Sequence, residues 1–420
     1  MHDPDYDAFC RQRLENPHPF YARLRDKEPV HWCESMHMWF LSRYDDISAL
    51  IRDRRRLISS RQSMYTDPLL SENRELASPL VDHIGLWLQN LNPPQHTRVR
   101  ELINLAFTPR MLEETAPRIE AIVNRLLDET IDAGETDFVR SFCLPLPALV
   151  ICEMLGIPQQ EQARYRASVE GLMSFSSGAG TALNAAIPRA RASLDDVTAL
   201  FDELIAQRRA HPAGDLLSSL VTAEADGDRL GRDELLALCV FLFVAGHDTT
   251  MGLLAGGTAA LLRHPEQWAM FKSDPEGLAE SAVEEFVRYE SPVTRAVRVP
   301  TEDIEIRGTT IPRGQTLTML LVAANRDPEA FANPNSIDIR RHPNKHLGFG
   351  YGIHFCLGAA LARLEGKIAF RAIAERLPNL ELATDHVPYS PALGKRSISS
   401  LPIRTGPSTR RAHRLIREQR

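Results

Sequence analysis

Leu347-Gly348-Phe349-Gly350-Tyr351-Gly352-Ile353-His354-Phe355-Cys356-Leu357-Gly358 is the densest chemical signal in the chain of 420 residues. Its glycines invite a phosphate-loop reading, but a G-x-G-x-x-G register fails at Ile353 and again at Phe355, and no strand precedes it. A zinc site built on His354 and Cys356 needs two further ligands at short spacing, and none is near. A nucleophilic cysteine needs a base, and His354 is badly placed to serve Cys356 along a tight loop. The segment does suit a thiolate held in a cradle of backbone N–H groups. Gly350 and Gly352 let the chain fold tightly, and Leu357-Gly358-Ala359-Ala360-Leu361 opens a helix directly after the sulfur. A helix N-terminus lowers the pKa of such a thiol, and Phe349 is placed to shield it from water. An axial thiolate to haem iron requires that environment.

Outward from this loop, helical periods dominate. Ile119, Ile122, Val123, Leu126 and Leu127 recur at three- and four-residue steps in 118–130, and similar periods run through 195–209, 278–289 and 357–377. Strand-like pieces are short: 38–41, 304–306 and 316–322, with turns at Arg307-Gly308 and Pro312-Arg313-Gly314. They do not alternate with the helices, so a doubly wound parallel sheet is excluded. The expected fold is mainly α with small β-sheets. The Ser-, Gly- and Ala-rich stretch 170–195 reads as a mobile connection around weak helices. The Arg-rich tail 404–420 is expected to be poorly ordered.

The longest helix is expected to start at Asp233 as N-cap and to stop at His264-Pro265. Its first half, Leu235 to Gly246, is apolar on every face and must cross the core. At its centre lie Gly246-His247-Asp248-Thr249-Thr250, polar residues that weaken a buried helix and so need a reason. The plain reason is that Thr249 and Thr250 bond back to carbonyls one turn earlier.

Composition excludes several classes. Net charge of −6 argues against a nucleic-acid binder, and the opening Met1-His2-Asp3-Pro4-Asp5 is no signal peptide. Six cysteines without a C-x-x-C pair are no disulfide scaffold, and the best apolar run falls short of a bilayer span, so a cytoplasmic protein without a membrane anchor is expected. Length alone would favour two or three domains.

The loop resembles the cytochrome P-450 family of haem-thiolate monooxygenases, through F-G-x-G-x-H-x-C-x-G at Phe349, Gly350, Gly352, His354, Cys356 and Gly358. Other segments share the resemblance, in order, from Asn16-Pro17 to Ile403. Glu285-x-x-Arg288 matches the E-x-x-R pair, with Arg341 (or Arg340) as third member. Ala245-Gly246-His247-Asp248-Thr249-Thr250 matches the oxygen-binding helix, and Pro93-Pro94-x-His96-Thr97-Arg98-x-Arg100 the haem-contact helix.

The resemblance implies one P-450 domain over 1–403, with haem b between the long central helix and the Cys loop. It implies Cys356 as iron ligand and His96, Arg100, Arg298 and His354 on the propionates. Phe349, Gly350, Gly358, Ala245 and Gly246 would border the haem, Gly246 by letting the backbone approach its distal face. Thr249 and Asp248 would relay protons for oxygen activation. Glu285, Arg288 and Arg341 would form a buried network that fixes the haem loop. Candidate pocket residues are Phe241, Val244, Val293, Thr294 and Ile398, roofed by 60–90 and 170–195; Val293 and Ile398 fit plain core equally. Their apolar character points to a lipophilic small molecule such as a terpenoid, steroid, fatty acid or polyketide. Asn92, where bacterial relatives often carry an acid, is expected to change only a local cap.

With no flavin or iron–sulfur motif in the chain, the resemblance implies electrons from NAD(P)H through a ferredoxin or flavodoxin and its reductase, acting on a monomer. Peroxide-driven oxidation, oxidative coupling or rearrangement by a haem-thiolate enzyme is the alternative, and a non-catalytic haem sensor a third. A sensor would not need the Asp248-Thr249 relay, which also argues against the peroxide route.

Overall fold

A computed structural model describes residues 16–34, 36–59, 65–66, 69–176, 181–225, 228–390 and 394–406. Among them the α-helices are α1 (His18–Lys27), α2 (Tyr44–Leu50), α3 (Arg74–Gly85), α4 (Gln95–Ala106), α5 (Pro109–Ala133), α6 (Pro145–Met154), α7 (Gln162–Ser176), α8 (Thr181–Ala210), α9 (Leu216–Thr222), α10 (Arg232–Arg263), α11 (Pro265–Ser273), α12 (Pro275–Glu290), α13 (Leu321–Ala324) and α14 (Ala359–Arg376). The larger sheet runs in the order β1 (Val30–Cys33), β2 (Met38–Leu41), β10 (Thr316–Met319), β7 (Ala296–Pro300), β3 (Leu57–Ile58). Only its β10–β2 pairing is parallel, with Thr316 opposite Met38. A smaller sheet joins β11 (Glu381–Leu382), β12 (Pro402–Arg404) and β4 (Glu135–Asp137). Helices with small sheets are what the periodicities predict.

The helix α10 spans 32 residues, about 48 Å at 1.5 Å per residue. Its N-cap lies two residues earlier than expected. Glu234 reaches back to accept the Gly231 N–H at 2.9 Å, so Gly231 is the N-cap and Asp233 sits in the first turn. By length and composition this helix would pass for a membrane span, but 67% of its most apolar window is buried in the protein. Leu235 to Val240 are all buried there, in one hydrophobic cluster that includes residues from Tyr65 to Ile403. A second cluster lies against the larger sheet and contains Leu317, Met319 and Leu347, the first residue of the Cys loop.

Three expectations are corrected. Within 170–195, Leu172, Phe175, Leu183, Ile187, Ala190 and Leu194 are buried on α7 and α8, two helices packed on each other rather than a mobile connection. The small residues serve that packing: a Cβ at Gly171 would come within 2.0 Å of Ser193 Oγ. Residues 177–180 of this stretch lie outside the described residues. The strand expected over 316–322 ends at Met319; Leu321–Ala324 turn into α13, all four buried. Arg404 is not tail: it closes β12, pairs with Glu381 across the strands, and donates from Nε to Glu135 at 3.1 Å. The remaining tail, 407–420, lies outside the described residues, as do 60–64 and 67–68 of the expected roof.

Candidate active site

Two glycines make the Cys loop. Gly350 has φ +71° and Gly352 φ +70°, values that a side chain resists. The turn is closed by Gly350 N–H to Leu347 O (2.8 Å), Phe355 N–H to Gly352 O (3.0 Å) and Cys356 N–H to Phe349 O (2.9 Å). The helix α14 then begins at Ala359 with Gly358 as N-cap. Cys356 is exposed, whereas Cys33, Cys143, Cys152 and Cys239 are buried; Cys10 lies outside the described residues. Burial pushes Cys143 and Cys239 up and Cys152 up to about 12, so these thiols stay protonated. Although its surface is accessible, Cys356 is densely surrounded by protein, and desolvation pushes its thiol up. The Gly358 N–H, Arg100 and Arg363 act in the other direction. The lowering by the helix start is thus opposed by burial, and a coordinating metal would deprotonate such a thiol outright. Phe349 lies 6.4 Å from Phe355, with the Arg363 guanidinium 4.4 Å from its centroid.

The loop is braced from α12. Arg288 and Glu285, both 0% exposed, pair through two 2.7 Å hydrogen bonds. Arg341 donates to Glu285 at 3.1 Å, which makes it the third member and leaves Arg340 exposed. Asp338 N–H (2.9 Å) and Asn344 Nδ2 (3.2 Å) complete the carboxylate's shell. Arg288 Nη1 also donates at 2.8 Å to the Asn325 carbonyl, and Asn325 Oδ1 accepts the Leu347 N–H at 2.8 Å. Thus the network reaches the root of the Cys loop. Sequence reasoning missed Glu284, the next residue back. It takes two hydrogen bonds from Arg363 (2.6 and 3.0 Å) and lies 3.0 Å from His346 Nε2, on the two flanks of the loop.

His96 and Arg100 come from α4, Arg298 from β7 and His354 from the Cys loop. The rings of His96 and His354 are 4.4 Å apart, and Arg100 Nη1 donates to Phe355 O at 3.0 Å. Burial, with Arg100 and then Arg298 nearby, pushes His96 down to about 4. Both ring nitrogens of His96 are buried without a partner. A buried cationic cluster with an orphaned imidazole fits an anionic group, and the carboxylates of a haem match it chemically. Ser59, also missed, and Asn92 support this corner: Ser59 Oγ lies 2.8 Å from His354 Nε2, and Asn92 Oδ1 accepts the Ser59 N–H at 2.8 Å. Asn92 is therefore a tertiary tie, more than the local cap expected of it.

In the middle of α10, Gly246 and Met251 are partly exposed, and so are Phe241, Ala245, Asp248 and Thr249. Steps of four, three and one place the latter four on one face, which therefore borders open space. That stripe, the exposed Cys356 and the orphaned His96 fit a haem with a chamber above it. The two helices involved are packed together, since a Cβ at Gly366 of α14 would lie 3.5 Å from Leu253 of α10. Gly246 is partly exposed beside Ala245, and a Cβ there would meet Ile151 of α6 at 3.7 Å, an ordinary contact. Thr249 Oγ1 donates to Ala245 O at 2.8 Å, the back-bond of the plain reading. Asp248 accepts from Lys395 Nζ at 2.6 Å and lies 3.2 Å from His247 Nδ1. Burial alone would push Asp248 up, but His247 and Lys395 hold its carboxyl well below the usual range. Of the pocket candidates, Phe241 and Val293 are partly exposed; Val244, Thr294 and Ile398 are buried, Ile398 in the main cluster.

These features fit one class, proteins that hold a metal cofactor between a largely buried helix and an accessible cysteine. The family model "Cytochrome P450" matches residues 277–390. The chain is 38% identical over 397 residues to "Polyketide biosynthesis cytochrome P450 PksS" of Bacillus subtilis (strain 168), covering 92% of this chain and 95% of that protein. It is 38% identical over 409 residues to "Cytochrome P450 monooxygenase PikC" of Streptomyces venezuelae (95% and 94%). It is 37% identical over 408 residues to "Vitamin D(3) 25-hydroxylase" of Pseudonocardia autotrophica (96% and 97%). Among solved structures, P450BioI bound to an acyl carrier protein ligated with hexadec-9Z-enoic acid superposes with a TM-score of 0.85 at 34% identity (94% and 99%). The chain belongs to the cytochrome P450 family, and it is an oxidoreductase of the monooxygenase type.

Proposed function

We propose that the chain is a stand-alone cytoplasmic monooxygenase, one domain over 1–403, that inserts one oxygen atom of O2 into a lipophilic small molecule. NAD(P)H supplies the two electrons through a ferredoxin or flavodoxin and its reductase. The stripe Phe241–Ala245–Asp248–Thr249 on a largely buried helix supports this reading best, because it pairs an apolar approach with an acid–alcohol couple. When bound, haem b would supply the redox-active iron that activates O2, and a thiolate ligand would favour that chemistry. Cys356 would be that ligand. His96, Arg100, Arg298 and His354 would hold the propionates, while Phe349, Gly350 and Gly358 would shape the surroundings of the thiolate. Thr249 and Asp248 would carry protons to the site of oxygen activation. The relatives' names, polyketide and vitamin D(3) among them, favour a polyketide-, steroid- or fatty-acyl-like substrate.

The reduced carbon-monoxide complex tests the core of the reading. The parent should give the red-shifted thiolate band and Cys356→Ser should lose it. Retention of that band in the variant would remove Cys356 from its role. A spectral-shift screen against lipophilic compounds then identifies the substrate.

A further inference from the structure

Residues 388–390 and 394–399 run side by side as two antiparallel arms next to α10. Ser390 N–H bonds to Ser397 O (2.8 Å), Ser399 N–H to Pro388 O (2.9 Å), and Tyr389 bridges Ile398. The second arm is laced to the segment after α12: Thr294 N–H to Gly394 O (3.2 Å), Val293 bridging Lys395, and Arg396 N–H to Pro292 O (2.9 Å). The same arm lies close over α10, since a Cβ at Gly252 would come within 3.3 Å of Arg396 O. Arg396 turns toward Tyr389 and Glu290, while Lys395 turns to Asp248, one helical turn before Gly252.

Both Asp248 oxygens are engaged, Oδ2 by Lys395 at 2.6 Å and Oδ1 by His247 at 3.2 Å, while the Thr249 hydroxyl proton is given to Ala245. A carboxylate paired with an ammonium is a poor proton carrier, because protonating it forfeits the pair. These backbone ties join the Val293–Thr294 segment to the arm that carries Lys395, a path by which a substrate against Val293 would reach the lysine.

We propose that Lys395 is a positioning residue for oxygen activation: its ammonium latches Asp248 to the arm 394–399, and substrate loosens the latch, tying proton supply to occupancy of the site. This rests on the monooxygenase reading and on Asp248 as relay acid. Lys395 touches neither cofactor nor reacting atoms in this role and acts through Asp248.

The test compares the parent, Lys395→Met and Lys395→Arg as haem-loaded proteins. Each is first required to give the thiolate carbon-monoxide band; its absence in the parent would sink the haem-thiolate reading and leave the latch aside. Amide exchange across 394–399 should quicken in Lys395→Met by roughly threefold, the scale of one half-buried ion pair. With a surrogate ferredoxin and reductase, the same variant should oxidise NADH faster without substrate and show a smaller substrate-induced stimulation. Lys395→Arg, which keeps the cation, should restore both readouts. Parent-like exchange in Lys395→Met overturns the latch. Faster exchange with parent-like NADH oxidation also overturns it, since the lysine would then only fasten the arm.

Discussion

Glu284 and Glu285 are neighbours on α12, yet they hold opposite sides of the Cys loop's support: Glu285 binds Arg288 and Arg341, and Glu284 binds Arg363 and His346. Removal of Glu285 strands a fully buried guanidinium, so Glu285→Ala should cost about 3–5 kcal/mol. Glu284→Gln, half as buried in charge and still able to accept, should cost about 1 kcal/mol. Denaturant unfolding of the two variants checks the order. The acid limb separates them further. His346 and Arg363 hold Glu284 at about 2 against the opposing push of burial, from an ordinary 4.5. The stability it contributes is full above the unfolded value and is lost as pH falls toward 2. Glu284→Gln should flatten stability across that window; an unchanged slope would deny Glu284 its share.

Glu365 on α14 works with the opposite sign. It is buried, Oε2 has no partner, and burial pushes its carboxyl up to about 8. The folded chain keeps this proton where the unfolded chain has released it, so stability falls as pH rises between about 4.5 and 8. Glu365→Gln, neutral throughout, should gain roughly 2–4 kcal/mol relative to the parent at pH 8 and little at pH 4.5. Parallel stability curves for the two proteins would rule out this titration.

Thr249→Ala removes the hydroxyl from the stripe and one back-bond to Ala245. Stability should move by less than about 0.5 kcal/mol, as for other such back-bonds. Haem and substrate spectra should remain, while product formed per NADH drops and hydrogen peroxide accumulates. Coupling equal to the parent would take Thr249 out of the relay.

Gly171→Val drives a side chain into Ser193, whose Oγ would be 2.0 Å and Cβ 2.9 Å from the new Cβ. Thermal unfolding should register a loss of about 1–3 kcal/mol, the usual penalty of overpacking. Adding Ser193→Gly should recover part of it. No loss in the single variant would mean that α7 and α8 are not tightly packed.

Much of this was legible in the primary structure, and the reason is local. The Cys loop writes its geometry in glycines at positive φ, and the Glu285–Arg288 pair lies at i, i+3 on one helix face. Long-range partners leave no such mark. Glu284 reads as one more solvated carboxylate until α14 brings Arg363 against it, and Lys395 as one more surface lysine until the arm 394–399 lands on α10. The Gly–Ser–Ala character of 170–195 was ambiguous in principle: small residues signal looseness when alone and close approach when a second helix is opposite.

The burial of α10 also bears on how the chain is made. Its cover from α6 and α8 precedes it in synthesis, whereas α12 and α14 follow it. A nascent chain that has reached residue 264 therefore presents a bilayer-compatible helix with only part of its jacket. Until α14 has emerged, this segment is the one most exposed to chaperone capture, aggregation or misdirection to a membrane. A ribosome-stalled series ending before and after residue 376 would locate the point at which that hazard closes.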